Sequence, residues 1–201
     1  MIENPHLPEV RYSLDLMMLQ LHLLRPRPAC VRIATASVEL AKAVARRLEV
    51  DGGTLIVENE EIRQALNTSF SLTPRLLAEW DAPVEVVLCP FSIESGIRLL
   101  EAKTVIAASR NACSYKKLLQ PGFAGRRITT MFASLAKSYE VVPVAGLFAP
   151  PFIVRWTLAK AVERFHSPLY FRLEDWAMLS LVDFSGWWRY AYIVVYTARH
   201  K

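Results

Sequence analysis

A chain of 201 residues in which 53% are hydrophobic, 10% aromatic and 21% charged carries enough apolar material for one core, and this composition excludes general disorder. The 24 Lys and Arg against 19 Asp and Glu give a net charge of +5, but the basic clusters Arg46-Arg47, Lys116-Lys117, Arg126-Arg127 and 199–201 are scattered near expected helix ends, where cations complement the macrodipole. With no continuous basic face interleaved with stacking aromatics, a nucleic-acid partner is not expected.

The apolar positions of residues 12–24 recur at helical spacing until Arg25-Pro26-Arg27-Pro28 stops them, which predicts a helix in an N-terminal segment, 1–27, ahead of the main domain, 28–201. Its Met and Leu stripe serves as core or as a dimer contact. Residues 29–34 read as a strand, 38–48 as a helix capped by Ser37, and 54–57 as a second buried strand ending at Glu58; a crossover this short makes the strands parallel. A helix over 60–66, a loop over 67–73 and a helical turn opened by Pro74 through Trp80 follow. Residues 84–89 form the third clear strand, broken by Pro90, and 104–108 the fourth, with Ser109-Arg110-Asn111 as its exit loop. Helices are expected over 92–102 and 126–139. Residues 141–147 read as a strand whose Pro143 argues for an edge or a bulge. A helical elaboration occupies about 150–186, and 188–197 holds the strongest β signal. Strands alternating with amphipathic helices give an α/β fold: a Rossmann-like, mostly parallel sheet with helices on both faces, an antiparallel C-terminal strand pair and a helical insertion before the last strand. Ligands of such sheets collect at the carboxyl ends of the strands.

Cys30, Cys89 and Cys113 show no C-x-x-C spacing, which argues against a disulfide framework or zinc site and for a reducing compartment. His6, His22, His166 and His200 are dispersed, so no metal is expected. The start of the chain lacks the basic and apolar regions of a secretory signal, and no run approaches the roughly 20 apolar residues of a transmembrane segment; the expected address is cytoplasmic.

This order, closing with Arg189-Tyr190-Ala191-Tyr192-Ile193-Val194-Val195-Tyr196 and preceded by 139–151, resembles the class I S-adenosylmethionine-dependent methyltransferases over roughly residues 28–201. The resemblance implies S-adenosylmethionine as cofactor, held by the turn Ala34-Thr35-Ala36-Ser37, by Glu58 as ribose acceptor and by Pro90. The turn is a degenerate form of the family's glycine-rich motif: it contains no glycine, and alanine does not take φ > 0 cheaply, so its geometry must differ. In Cys89-Pro90-Phe91-Ser92 a thiol stands where amino-group methylating members carry Asp or Asn, which disfavours an amide or base nitrogen as acceptor.

On the substrate side the expected residues are Arg110, as an anion holder, Tyr115, to stack or donate a proton, and Trp156, one of the many aromatics of the elaboration that can lid an apolar site or form a homodimer face. The function so implied is methyl transfer to a small or apolar acceptor, which needs positioning more than acid–base groups and leaves the catalytic residues unassigned. The alternative is a non-catalytic Rossmann-like interaction or dimerisation module that has lost its cofactor, using the first helix or the aromatic elaboration. A third reading is a binder of another nucleotide or anionic metabolite.

Overall fold

The computed structural model describes residues 5, 8–48, 53–70, 73–91, 102–110, 138–147, 182–183 and 193–201. Among them the elements are α1 (Pro8–Leu23), β1 (Cys30–Ile33), α2 (Val38–Ala45), β2 (Thr54–Val57), α3 (Glu60–Phe70), β3 (Arg75–Leu76), a 3₁₀ turn (Leu77–Glu79), β4 (Val86–Pro90), β5 (Thr104–Arg110), β6 (Tyr139–Leu147), β7 (Val182–Asp183) and β8 (Ile193–His200). The strands form one sheet in the order β3-β2-β1-β4-β5-β8-β6-β7. The first five are mutually parallel, and β8 enters antiparallel between β5 and β6. The sheet is thus the mostly parallel one that the alternation predicts, with its antiparallel pair at the C-terminal end.

Successive side chains alternate between the two faces of the sheet, and both faces are buried along the central strands. Ile33, Val57, Leu88, Ile106 and Val195 point to one face, where α1, α2 and α3 cover them with Leu14, Met17, Leu40, Ile62 and Leu66. Cys30, Ala34, Ile56, Cys89, Ala107 and Tyr196 build the second face. The stripe of α1 is spent in the first core: Val10, Leu14 and Met17 are fully buried, and only Leu19 and Leu23 are large exposed apolar side chains on this helix. The helical face offered by the sequence for dimerisation is therefore core.

Several boundaries differ from the sequence reading. The helical turn read over 74–80 is confined to the 3₁₀ turn at Leu77–Glu79, because Arg75 and Leu76 pair with Ile56 and Val57 first. A two-residue strand is too short to show a period. Helix α3 runs through 67–70 rather than ending at Leu66; the Thr68 hydroxyl donates to the Gln64 carbonyl, and Phe70 packs back on the first core beneath the Arg46 guanidinium. Helix α2 ends earlier, at Ala45, in a tight turn at Arg46. Ser109 and Arg110 are not an exit loop but the end of β5, paired with Val194 and Ile193 of β8. Val182–Asp183 is a short strand on β6 inside the stretch read as helical. Pro143 does mark a bulge, a register shift between Pro143 and Ala145 against β8. The helices read over 92–102 and 126–139 and most of the helical elaboration at about 150–186 fall outside the described residues, as do 188–192.

Because Leu14 is fully enclosed, Leu14→Ala is expected to lower stability by about 2–5 kcal/mol. Leu23→Ala on the exposed side is expected to change it by no more than about 0.5 kcal/mol. Urea unfolding monitored by circular dichroism measures both, and equal small effects would detach α1 from the core.

Candidate functional site

The chain steps outward in one direction from β1 to β2 to β3, then returns to the other side of β1 to lay down β4 and β5. The order reverses between β1 and β4, and the crevice beyond their carboxyl ends is where open α/β sheets bind ligands. Three segments meet there: the turn after β1, the end of β2, and Cys89-Pro90-Phe91 at the end of β4.

The turn after β1 is organised by hydroxyls instead of glycine. The Ala34 N–H still donates to the Leu88 carbonyl at 2.8 Å, so the first residue of the turn continues the β1–β4 ladder. Thr35 is buried, and its Oγ1 accepts the Ser37 N–H at 3.1 Å. Ser37 Oγ in turn accepts the Leu40 N–H at 3.3 Å and caps α2. Ser37 lies at φ −93°, and among the described residues the non-glycine residue at positive φ is Phe91, at 61°. No left-handed residue is needed in this turn, which is why it dispenses with glycine. Ala36 is exposed at its tip.

At the end of β4, Pro90 pairs with Ala108 and is buried, and the Phe91 N–H resumes the ladder by donating to the Ala108 carbonyl at 2.9 Å. An aromatic residue in the left-handed region costs on the order of 1–2 kcal/mol. The ladder bond and the packing of the Phe91 ring on the first core hold it there.

Glu58 stands just past β2, one position beyond the last β1–β2 pair, Ile33 with Val57. Its carboxylate is held by Arg32 of β1, whose Nε donates to Oε1 at 2.9 Å and whose Nη2 donates to the same oxygen at 2.6 Å. The Arg32 side chain is 4% exposed and that of Glu58 23%. Oε2 accepts no hydrogen bond from the described residues. The sequence reading missed Arg32 because it sits in the apolar run 29–34. The available signal was a lone charge at a strand position facing the sheet interior, which demands an acidic partner on a neighbouring strand.

Cys89, fully buried on the second face, is no nucleophile. Burial pushes its thiol up from 9.0 to about 12; the Arg32 cation acts in the opposite sense and Glu58 in the same one. Next but one along the same row of the sheet, burial also raises the Tyr196 phenol, with Cys89 adding to the effect. The Ser109 hydroxyl near the end of β5 is buried and has no hydrogen-bond partner among the described residues. Of the expected substrate residues, Arg110 is the last residue of β5, and Tyr115 and Trp156 lie outside the described residues. The structure thus brings together Ala34, Thr35, Ala36, Ser37, Glu58 and Pro90 at the switch point. Among the described residues no group of three His, Cys, Asp or Glu side chains could hold a metal ion, and no helix is long and apolar enough to cross a membrane.

Neither a scan against protein-family models nor a search of curated proteins gives a match. Solved structures do match. The MccD protein superposes with a TM-score of 0.52 at 12% identity, over 96% of this chain and 99% of its own. Thermoplasma acidophilum 1320 gives 0.51 at 8% identity, over 94% and 85%. The plantazolicin methyltransferase BpumL, crystallised with SAH, gives 0.49 at 8% identity, over 98% and 87%. With β8 inserted antiparallel beside β5 and the crevice opening between β1 and β4, the topology decides the matter. The fold is class I S-adenosylmethionine-dependent methyltransferase-like. Within this methyltransferase-like fold the turn 34–37 follows β1 and Glu58 follows β2, both at the carboxyl ends of the strands.

Two outcomes test the chemistry of this region. Glu58→Ala removes the carboxylate partner of a buried guanidinium and is expected to cost about 3–5 kcal/mol, whereas Arg32→Met leaves an acid that can turn toward water and is expected to cost less. The double variant Arg32→Met/Glu58→Leu is expected to recover most of the loss, and a cost below about 1 kcal/mol for Glu58→Ala would mark the pair as an ordinary surface contact. Denaturant unfolding of the three variants measures this.

The second outcome concerns alkaline pH. The folded chain holds the Cys89 proton more tightly than the unfolded chain, so the stabilisation is complete below pH 9, declines as pH rises above it, and is lost by about pH 12. Tyr139 and Tyr196, both raised from 10.0 by burial, act in the same direction at higher pH. Cys89→Ala is expected to flatten the fall in stability between pH 9 and 11 by up to about 1.4 kcal/mol per pH unit. Urea midpoints across that interval measure it, and identical slopes for both proteins would refute it.

Proposed function

We propose that the chain binds S-adenosylmethionine in the crevice beyond β1, β2 and β4 and transfers its methyl group to a small or apolar acceptor. The observation that carries this reading is the Glu58 carboxylate, fixed at the end of β2 with Oε2 not engaged by the described residues, beside a turn whose exposed tip is only Ala36. The residues fit an adenosyl ligand in this sense. Ala36 lets a ligand approach the main chain, as a small side chain must. Glu58 would accept from the ribose hydroxyls, and Pro90 with Phe91 would border the ligand on the β4 side.

When bound, the cofactor supplies an electrophilic methyl carbon on a sulfonium. The chain's own contribution is orientation: the capped turn and the pinned acid hold the ligand, and no protonation step at Cys89 is involved, because that thiol stays neutral and buried. The same burial supports an acceptor other than an amide or base nitrogen, since no Asp or Asn amide or carboxylate stands at position 89. The dimerisation-module reading draws no support from α1, whose apolar face is enclosed.

The test uses differential scanning fluorimetry with S-adenosylhomocysteine and S-adenosylmethionine. A ligand at about 100 times its Kd stabilises the native state by about 2.7 kcal/mol and raises the Tm. Ala36→Trp, at an exposed position, is expected to keep the ligand-free Tm and abolish the shift. No shift of the native protein at millimolar ligand would sink the proposal.

A further inference from the structure

Arg32 is an uncommon residue to find inside a parallel sheet. It occupies the middle of β1, between β2 and β4 with their partners Ile56 and Val87, and its side chain is almost wholly withdrawn from water. Burying a guanidinium carries a desolvation penalty of several kcal/mol, and a core of Val, Ile and Leu would be at least as stable there. What the arginine does provide is geometry. Two of its N–H groups, Nε and Nη2, converge on Oε1 of Glu58, so the carboxylate is oriented by a rigid planar fork anchored in the sheet. Both bonds go to Oε1, Oε2 accepts none from the described residues, and the Glu58 side chain is partly exposed at the strand end.

We infer that Arg32 is a positioning residue: it immobilises Glu58 so that Oε2 is presented to the vicinal hydroxyls of a ribose, and it thereby sets the preference of the site for a ligand carrying that diol. The inference rests on the proposed adenosyl-binding reading. An unpinned glutamate loses up to about 2 kcal/mol of rotamer freedom on being ordered by a ligand. With Arg32 in place that ordering is complete before the ligand arrives. Arg32 itself is too enclosed to touch the ligand, so its effect on the ligand is exerted through the Glu58 carboxylate that it holds.

The experiment is calorimetric titration of native protein, Arg32→Met and Arg32→Lys with S-adenosylhomocysteine and with its 2′-deoxy analogue. Native protein is expected to prefer the hydroxylated ligand by about tenfold or more, as suits a hydrogen bond to a charged acceptor. Arg32→Met is expected to reduce that ratio to below about threefold while still binding the deoxy analogue as native does, and Arg32→Lys to restore part of the ratio. A merely structural arginine would weaken both ligands equally or neither, and an unchanged ratio in Arg32→Met overturns the inference. If that variant fails to fold, Arg32→Lys against native protein carries the comparison, and an unchanged ratio there overturns it equally. A native ratio near one refutes the role of Glu58 as diol acceptor and the inference with it. Binding of neither ligand to native protein refutes the adenosyl reading itself.

Discussion

A guanidinium sealed within a sheet must meet a carboxylate, and the pairing of Arg32 with Glu58 is the constraint around which the carboxyl edge of the central strands is arranged. It ties the middle of β1 to the end of β2 and places a charge next to Cys89 of β4. A one-residue slip of β2 against β1 would turn Glu58 to the opposite face and take its carboxylate away from Arg32, so the pair also specifies the register that the apolar side chains favour. The residues around it are small or neutral: Ala34 and the protonated thiol of Cys89 share the same buried face.

The turn 34–37 illustrates how one architecture can be reached by different local chemistry. Where glycines would allow left-handed backbone, this chain keeps negative φ at Ser37 and satisfies the turn through Thr35 Oγ1 and Ser37 Oγ. The strain that the turn avoids appears instead at Phe91, held by a ladder bond and by its packed ring. The two sides of the crevice are therefore built unlike each other, one relaxed and hydroxyl-capped, the other strained.

The place of Glu58 at the end of β2 was legible because the apolar run 54–57 stops there. Its partner was not, since Arg32 looks like an incidental charge until β1 and β2 are laid side by side. The short strands β3 and β7 were likewise hidden, because two residues define no period and only the neighbouring strand makes them strands. The end of β5 was read as a loop on account of Ser109, Arg110 and Asn111, but pairing with β8 overrides the turn propensity of the first two.

The sequence by itself determined the parallel α/β character, the four central strands and the apolar stripe of α1, all of which follow from local periodicity and from side chains that must leave water, and it left Pro143 as an edge or a bulge and the α1 stripe as core or dimer contact. Tertiary structure alone decided the sheet order, the insertion of β8 between β5 and β6, and the union of Arg32 with Glu58. These depend on contacts between residues 26 to nearly 100 positions apart, and no short-range pattern encodes which distant strand a given strand will meet.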